Sequence, residues 1–574
     1  MLENPRKRTS SHGNSFSLKT FTQCYAVSIG SQIIWQRLSP PAALNGRLAA
    51  HLPMHIPLYV LTAYFMCTVI IAIWSHHRQR TSNDFLNETG NLPTWVATLS
   101  FLAANCGALE IVGLTGIAAR YGVQAFHFYW IGAIPALVFV SFVALPTYHR
   151  SEVKSVPEFL GKRFGPEVRL LNAAALLGGT CMTAGVSLYA VAEILHVFAG
   201  WRFSSCILVA AVVAITNILT GGLRGTMRTE ILHFCLMIAG LSPMLYLSFR
   251  FGGHQPLGDT TWAHLWQKTP VISSHVPVDM IGVVIGLGLI VGFSYWCTDF
   301  VLMQRALTAR SALSARKVPL YAGFGKLLFS FLVVMPVILA GRTSAPIGNG
   351  NLDQTAALLM RSLYDSRFWT VGILALIASL MTGLSANVAA FASLWTQEIY
   401  KGVLRPHETE QHYISTGRLA SVICILLSLM GAYAALHFES VSEFMLVIFS
   451  LTMIPFFAVV LQGIFSRRCS KTGVISGAMS GIAVGALMSI ACHLHLLRFG
   501  SELNANFYTA IVSFTTSLVI CIAASWLDSN SFYAANDTSQ PAIDVCTTIP
   551  IPNTLYALAA LLLACCIILN ILWR

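Results

Sequence analysis

The amino-acid sequence predicts an all-α polytopic membrane protein with about 14 transmembrane helices around a 5+5 inverted-repeat core. Three observations carry this: composition, recurrent apolar runs, and two interrupted spans in matching places. Hydrophobic residues make up 55% of the chain and charged residues 10%, with a mean hydropathy of +0.68; soluble domains carry roughly 25% charge. Lipid satisfies no backbone group, so only helices or closed barrels span it. The apolar runs here are continuous rather than alternating, which excludes a barrel.

Residues 1–53 come first and fit this frame poorly. They are basic (Arg6, Lys7, Arg8, Lys19, Arg37, Arg47) and Ser-rich, and they lack the continuous apolar region of a signal peptide. A start at Met54 would be natural, so 1–53 reads as a disordered extension or an over-long start, and 54–574 as the membrane domain. Stretches near the roughly 20 apolar residues needed to cross a bilayer follow at 56–75, 93–116, 124–148, 169–200, 203–221, 228–251, 280–306, 316–342, 367–397, 415–437, 440–465, 472–494, 506–527 and 553–573. The fourth, seventh and ninth are longer than a span requires, so they tilt or run past the bilayer.

The second span, 93–116, is built to break. Its middle reads Ala103-Ala104-Asn105-Cys106-Gly107, with Glu110 one turn later. Asn and Gly are poor interior helix formers, and a carboxylate in hydrocarbon costs several kcal/mol. The seventh is softened by Gly282, Gly286, Gly288 and Gly292 ahead of Tyr295-Trp296. Spans two and seven lie five apart, as the opening helices of two five-helix units would. Five is odd, so the second unit is inverted. The repeats then cover about 93–251 and 280–465, leaving 56–75, 472–494, 506–527 and 553–573 peripheral. Paired broken helices in two inverted halves point to a transporter's central site.

Loops after the odd-numbered helices hold nineteen Lys and Arg and the opposite side nine. The positive-inside bias therefore places the odd-helix loops in the cytoplasm and both termini outside, in a multi-pass plasma-membrane protein (an inner-membrane one if bacterial). The same bias accounts for most of the net charge of +12 without nucleic acid. The 14 cysteines are scattered with no CxxC pair, and neither a GxxxxGK[ST] nor an HExxH motif is present. Nothing supports an enzyme or an organic cofactor.

Six fragments in order carry a resemblance: SNDFLNETGNLPTWVATLSFLAANCGALEIVGLTG, SVPEFLGKRFG, GGLRGTMRTE, SYWCTDFVLMQRAL, ASLWTQEIYKGVL and LQGIFSRRCSKTGVISG. From about Ile56 to position 494 the chain resembles the sodium:solute symporter family, including its sodium/galactose and sodium/proline members. The resemblance implies a leucine-transporter-type core, alternating access, and sodium-coupled uptake of a small organic solute. Proton-coupled or uncoupled transport and a transporter-like sensor are the alternatives.

Carried over residue by residue, the resemblance implies a sodium site from the carbonyls of Ala103, Cys106 and Ser379 and from Thr382 and Gly383. Here one family hydroxyl position is kept, as Thr382, and the other is lost, as Gly383. The solute pocket would involve Asn105, Glu110, Tyr129, Gly292, Tyr295 and Lys326, with Leu114, Phe128 and Tyr295 as gates. Four polar sugar-binding positions have become Glu110, Tyr129, Gly132 and Gly292, which favours an amine or amino acid held by carboxylate and aromatic; a sugar or organic anion stays open. Three roles are open to Glu110: contact with the solute, carriage of a proton, or a buried pair with Lys326. Asp299 is expected in an interfacial ion pair and Glu230 in an inner-surface pair with Arg228. Lipid is the other partner, and oligomeric state is not legible.

Overall fold

The computed structural model of the chain describes residues 58–76, 92–252, 266, 278–341, 352–438, 440–466, 468–528 and 552–573, all in the unit Pro53–Arg574. The basic stretch 1–53 lies outside the described residues. Within them the structure is helical, apart from one isolated parallel bridge between Leu92 and Ala309.

The chain winds through α1 (Leu58–His76), α2 (Thr94–Asn105), a π-helical turn at Leu109–Gly113, α3 (Leu114–Tyr121), α4 (Phe126–Trp130), α5 (Ile134–Phe139) and α6 (Leu145–Arg150). Then come α7 (Val156–Phe164), α8 (Pro166–Ala199) and α9 (Phe203–Gly252). A π-helical stretch, Gly282–Gly292, leads into α10 (Phe293–Thr298), α11 (Phe300–Leu307) and α12 (Ala312–Gly341). The rest is α13 (Thr355–Leu363), α14 (Ser366–Ser393), α15 (Glu410–Ala435), α16 (Val441–Thr452), α17 (Ile454–Phe465), α18 (Lys471–His493), α19 (Glu502–Leu527) and α20 (Asn553–Leu572).

Sequence chemistry sets many of these starts. Ser155, Thr409, Ser440, Ser470 and Ser501 each stand just before a helix and accept a hydrogen bond from the amide three residues on. This satisfies a helix-end donor that lipid cannot. Small residues set the packing. Gly473, Gly477 and Gly481 repeat every fourth residue on α18, and a Cβ on any of them would stand within 2.8 Å of Ser525, Ser517 or Cys521 atoms of α19. Close approach of that kind is how helices associate where burial of apolar surface brings no gain. Large apolar side chains such as Leu487, Trp526 and Ile571 point outward, more than half exposed, as a lipid-facing surface requires.

Among the described residues nine helices are long and apolar enough to cross a membrane, or eleven if each of two bent pairs is one span. The chain is a multi-pass membrane protein. The expected loop between the fifth and sixth spans is wound as helix, since α9 runs unbroken for 50 residues. That is about 75 Å at 1.5 Å per residue, well beyond one bilayer crossing. Residues 222–227, where the loop was expected, contain glycines but no proline, so nothing removes a backbone donor there; the proline of α9, Pro243, lies farther on.

The second span breaks as expected. α2 ends at Asn105, and the helix resumes after Cys106-Gly107. The seventh breaks later than its glycines suggested. Those glycines are wound into the wider π pattern, and the 55° bend falls at Asp299, after Tyr295-Trp296. Asp299 is not in an interfacial ion pair: its carboxylate accepts from the Leu302 amide at 2.9 Å and caps α11. A further bend of 41° separates α16 from α17.

Candidate functional site

The break in α2 leaves polar groups where a straight helix would hide them. Cys106 takes φ −82° and ψ 51°, outside helical geometry. Its carbonyl accepts a hydrogen bond from the Ser379 hydroxyl of α14 at 2.5 Å. One turn on, Thr382 gives its hydroxyl hydrogen to the Ala378 carbonyl at 2.8 Å, and its oxygen lies 2.6 Å from His233 Nδ1 on α9. Gly383 lies directly against Gly107: a Cβ on either would stand 3.2 Å from the other's Cα. Ala103, Cys106, Ser379 and Thr382 are fully buried. The break and α14 thus bring the residues of the expected cation site together. Their donor set, backbone carbonyls plus the Thr382 hydroxyl, is of the oxygen type a hard cation takes, and the Thr382 oxygen has a second lone pair.

Five of the expected solute-pocket residues, Asn105, Glu110, Tyr129, Tyr295 and Lys326, are linked to one another near the same break. Lys326 of α12 reaches Glu110 Oε1 at 2.5 Å, with both side chains buried. The Lys326 ammonium also lies 5.4 Å from the Tyr129 ring centre and 5.7 Å from that of Trp296. The Tyr129 hydroxyl lies beside the Glu110 carboxylate. Neither it, nor Glu110 Oε2, nor Asn105 Oδ1 has a well-formed hydrogen bond among the described residues. Asn105 uses its amide instead to donate to the Tyr295 hydroxyl at 2.6 Å. Tyr295 is half-buried, with its ring 5.1 Å from Phe449. On the other side, Leu114 is buried and Phe128 half-buried against Phe507.

Gly292 does not line an opening. A Cβ there would stand 2.1 Å from the Gly132 carbonyl oxygen, so these two former ligand positions are a contact between main chains. Glu230 also departs from expectation. It is buried and pairs with Arg305, whose Nε lies 3.2 Å from Oε2, and it accepts from Ser100. Arg228 stacks on Trp74 at 4.4 Å. The carboxylate sits on the side of α9 that faces the core, where only a buried partner could meet its charge. The sequence reading missed His233 and Tyr64. Their one signal was a histidine three residues after Glu230, on the same helical face.

A helical membrane unit whose first long break opens onto a buried polar cluster defines a solute transporter. The model of the sodium:solute symporter family matches residues 85–485, and the chain belongs to that family. It is a sodium-coupled solute symporter and not an enzyme. The chain is 27% identical over 503 residues to the sodium/mannose cotransporter of Bos taurus, covering 79% of this chain and 82% of that protein. It is 24% identical over 499 residues to the sodium/glucose cotransporter of Vibrio parahaemolyticus, covering 81% and 90%. Among solved structures, a sodium-coupled sialic acid symporter superposes with a TM-score of 0.68 at 18% identity, over 82% of this chain and 98% of that one. This last likeness speaks to the fold alone.

Proposed function

We propose that this symporter carries a small, neutral, hydroxyl-rich solute, such as a sugar or cyclitol, with sodium bound at the α2 break. The observation that carries this is a set of three buried polar atoms at the break, Asn105 Oδ1, Glu110 Oε2 and the Tyr129 hydroxyl, none with a well-formed hydrogen bond among the described residues, the last two lying beside each other. Two can only accept, and a buried acceptor without a donor costs about 1–3 kcal/mol. Solute hydroxyls both donate and accept, and so meet all three. The charge balance points the same way. Lys326 already neutralises Glu110 at 2.5 Å, so an incoming ammonium would have to displace a tethered one. This turns the reading of Glu110 away from an amine. The sugar substrates in the names of the mannose and glucose cotransporters agree with it.

In this reading the core is a 5+5 inverted repeat within about 14 spans, with both termini outside and odd-helix loops in the cytoplasm. Sodium is held by the Ala103, Cys106 and Ser379 carbonyls and by Thr382, beside Gly383. Leu114 and Phe128 close the outer side and Tyr295 the inner. Alternating access follows from rocking about the breaks. The test is uptake into proteoliposomes of purified protein, with and without a sodium gradient, against sugars, cyclitols, amino acids, amines and organic anions. Sodium-driven uptake of a sugar or cyclitol is expected. Exclusive uptake of an amine would overturn the solute class, and gradient-independent uptake would overturn the coupling.

A further inference from the structure

We infer that His233 is a positioning residue for the cation site, and that through it Tyr64 ties α1, outside both proposed repeats, to that site. The inference rests on the sodium site proposed above.

The Thr382–Ala378 bond sets the arrangement we assign. A threonine hydroxyl has one hydrogen to give, and that of Thr382 goes to the Ala378 carbonyl at 2.8 Å. The 2.6 Å contact between Thr382 Oγ1 and His233 Nδ1 therefore takes its hydrogen from the imidazole. Nε2 is then the acceptor, and the Tyr64 hydroxyl lies 3.0 Å from it. With the His233 tautomer that carries its hydrogen on Nδ1, which we assign here, Tyr64 donates to His233, His233 to Thr382, and Thr382 to Ala378. All three side chains are buried, at 7%, 3% and 0% exposure. The Tyr64 and His233 rings also lie 5.7 Å apart, centre to centre, which packs α1 against α9 at this point.

The consequence lies at the Thr382 oxygen. Its hydrogen and one lone pair are engaged on fixed neighbours, and the second lone pair is held in one direction. With Gly383 contributing no hydroxyl, Thr382 is the one side-chain ligand position the family pattern leaves on α14, so its orientation carries unusual weight. An unheld threonine would turn between staggered rotamers and spend part of its time aimed elsewhere.

The test is sodium titration of the thermal unfolding midpoint of purified, solute-free protein, with choline as the control ion. A ligand that binds the folded state raises that midpoint in proportion to its affinity, so the readout does not depend on transport. His233→Leu removes the donor and should raise the half-maximal sodium concentration about fivefold, the scale of one hydrogen bond. His233→Asn keeps an amide N–H near the Nδ1 position and should restore a value close to the parent's. Tyr64→Phe keeps packing and loses the last link, and should shift the value roughly twofold. An unchanged midpoint titration in His233→Leu, or a defect in His233→Asn equal to that of His233→Leu, would overturn the inference, the latter because only bulk would then matter. If the parent protein shows no sodium-dependent shift, the sodium site itself is wrong and the inference goes with it.

Discussion

Gly107 and Gly383 meet backbone to backbone, with a Cβ on either placed 3.2 Å from the Cα of the other. The broken helix and α14 are therefore as close as main chains allow at the point where the family pattern has a hydroxyl. A side chain at Gly383 would also stand 3.1 Å from Ser187 Oγ, so a small one can be admitted if its neighbours give by a few tenths of an ångström.

Gly383→Ala and Gly383→Ser separate space from chemistry. Both add the same Cβ, and only serine adds an oxygen. Serine should need roughly fivefold less sodium than alanine for half-maximal uptake, equivalent to about 1 kcal/mol. Identical sodium curves would mean that the missing hydroxyl has no bearing on the ion.

The Glu110–Lys326 pair predicts a non-additive pattern. Removing one partner of a buried pair leaves an uncompensated charge and costs about 3–5 kcal/mol. Glu110→Gln and Lys326→Met should each lower the unfolding midpoint markedly, while the double variant recovers most of it without recovering uptake. A double variant as unstable as the sum of the singles would show that the two side chains act independently.

Tyr295 receives the Asn105 amide at 2.6 Å. Tyr295→Phe keeps the ring against Phe449 but leaves that amide without its acceptor. Apparent solute affinity should weaken about fivefold, on the order of 1 kcal/mol, with expression unchanged. Full affinity in Tyr295→Phe would remove Asn105 and Tyr295 from the pocket.

Asp353 lies in the short turn Leu352–Gln354 ahead of α13 and accepts from the Val441 amide, which opens α16, at 3.0 and 3.3 Å. Burial pushes its carboxyl up to about 6, outweighing the Val441 amide that pulls the other way. Because the folded value lies above the usual carboxylate range, its stabilising contribution is complete below about pH 4. It is lost as pH rises through 6. The unfolding midpoint of the parent should therefore fall between about pH 4 and 6 relative to Asp353→Asn, which has no such titration. Parallel pH curves would refute the assignment.

The sequence made the membrane class, the break at Cys106-Gly107 and the family legible, because composition and local helix chemistry determine them. Partner identity was less accessible. Glu230 was expected beside Arg228, its neighbour in sequence, yet it pairs with Arg305, 75 positions away. Which face of α9 points inward is set by tertiary packing. The Tyr64–His233–Thr382 chain was invisible for the same reason, since its members lie 169 and 149 positions apart. The glycines of the seventh span were a real signal of altered winding, but the bend came at Asp299, whose carboxylate can start a new helix.

The contact between Gly132 and Gly292 bears on how this carrier could change its cargo over evolutionary time. In a pocket walled by side chains, one codon change can exchange a ligand and shift preference. Here a Cβ at 292 would meet a carbonyl oxygen at 2.1 Å, so no side chain can be placed there by a single substitution. Two segments would first have to move apart, and every neighbour packed on them would have to adjust. At this contact a spacing between main chains, and no side chain, is what point substitution would have to overcome, and it acts as a ratchet.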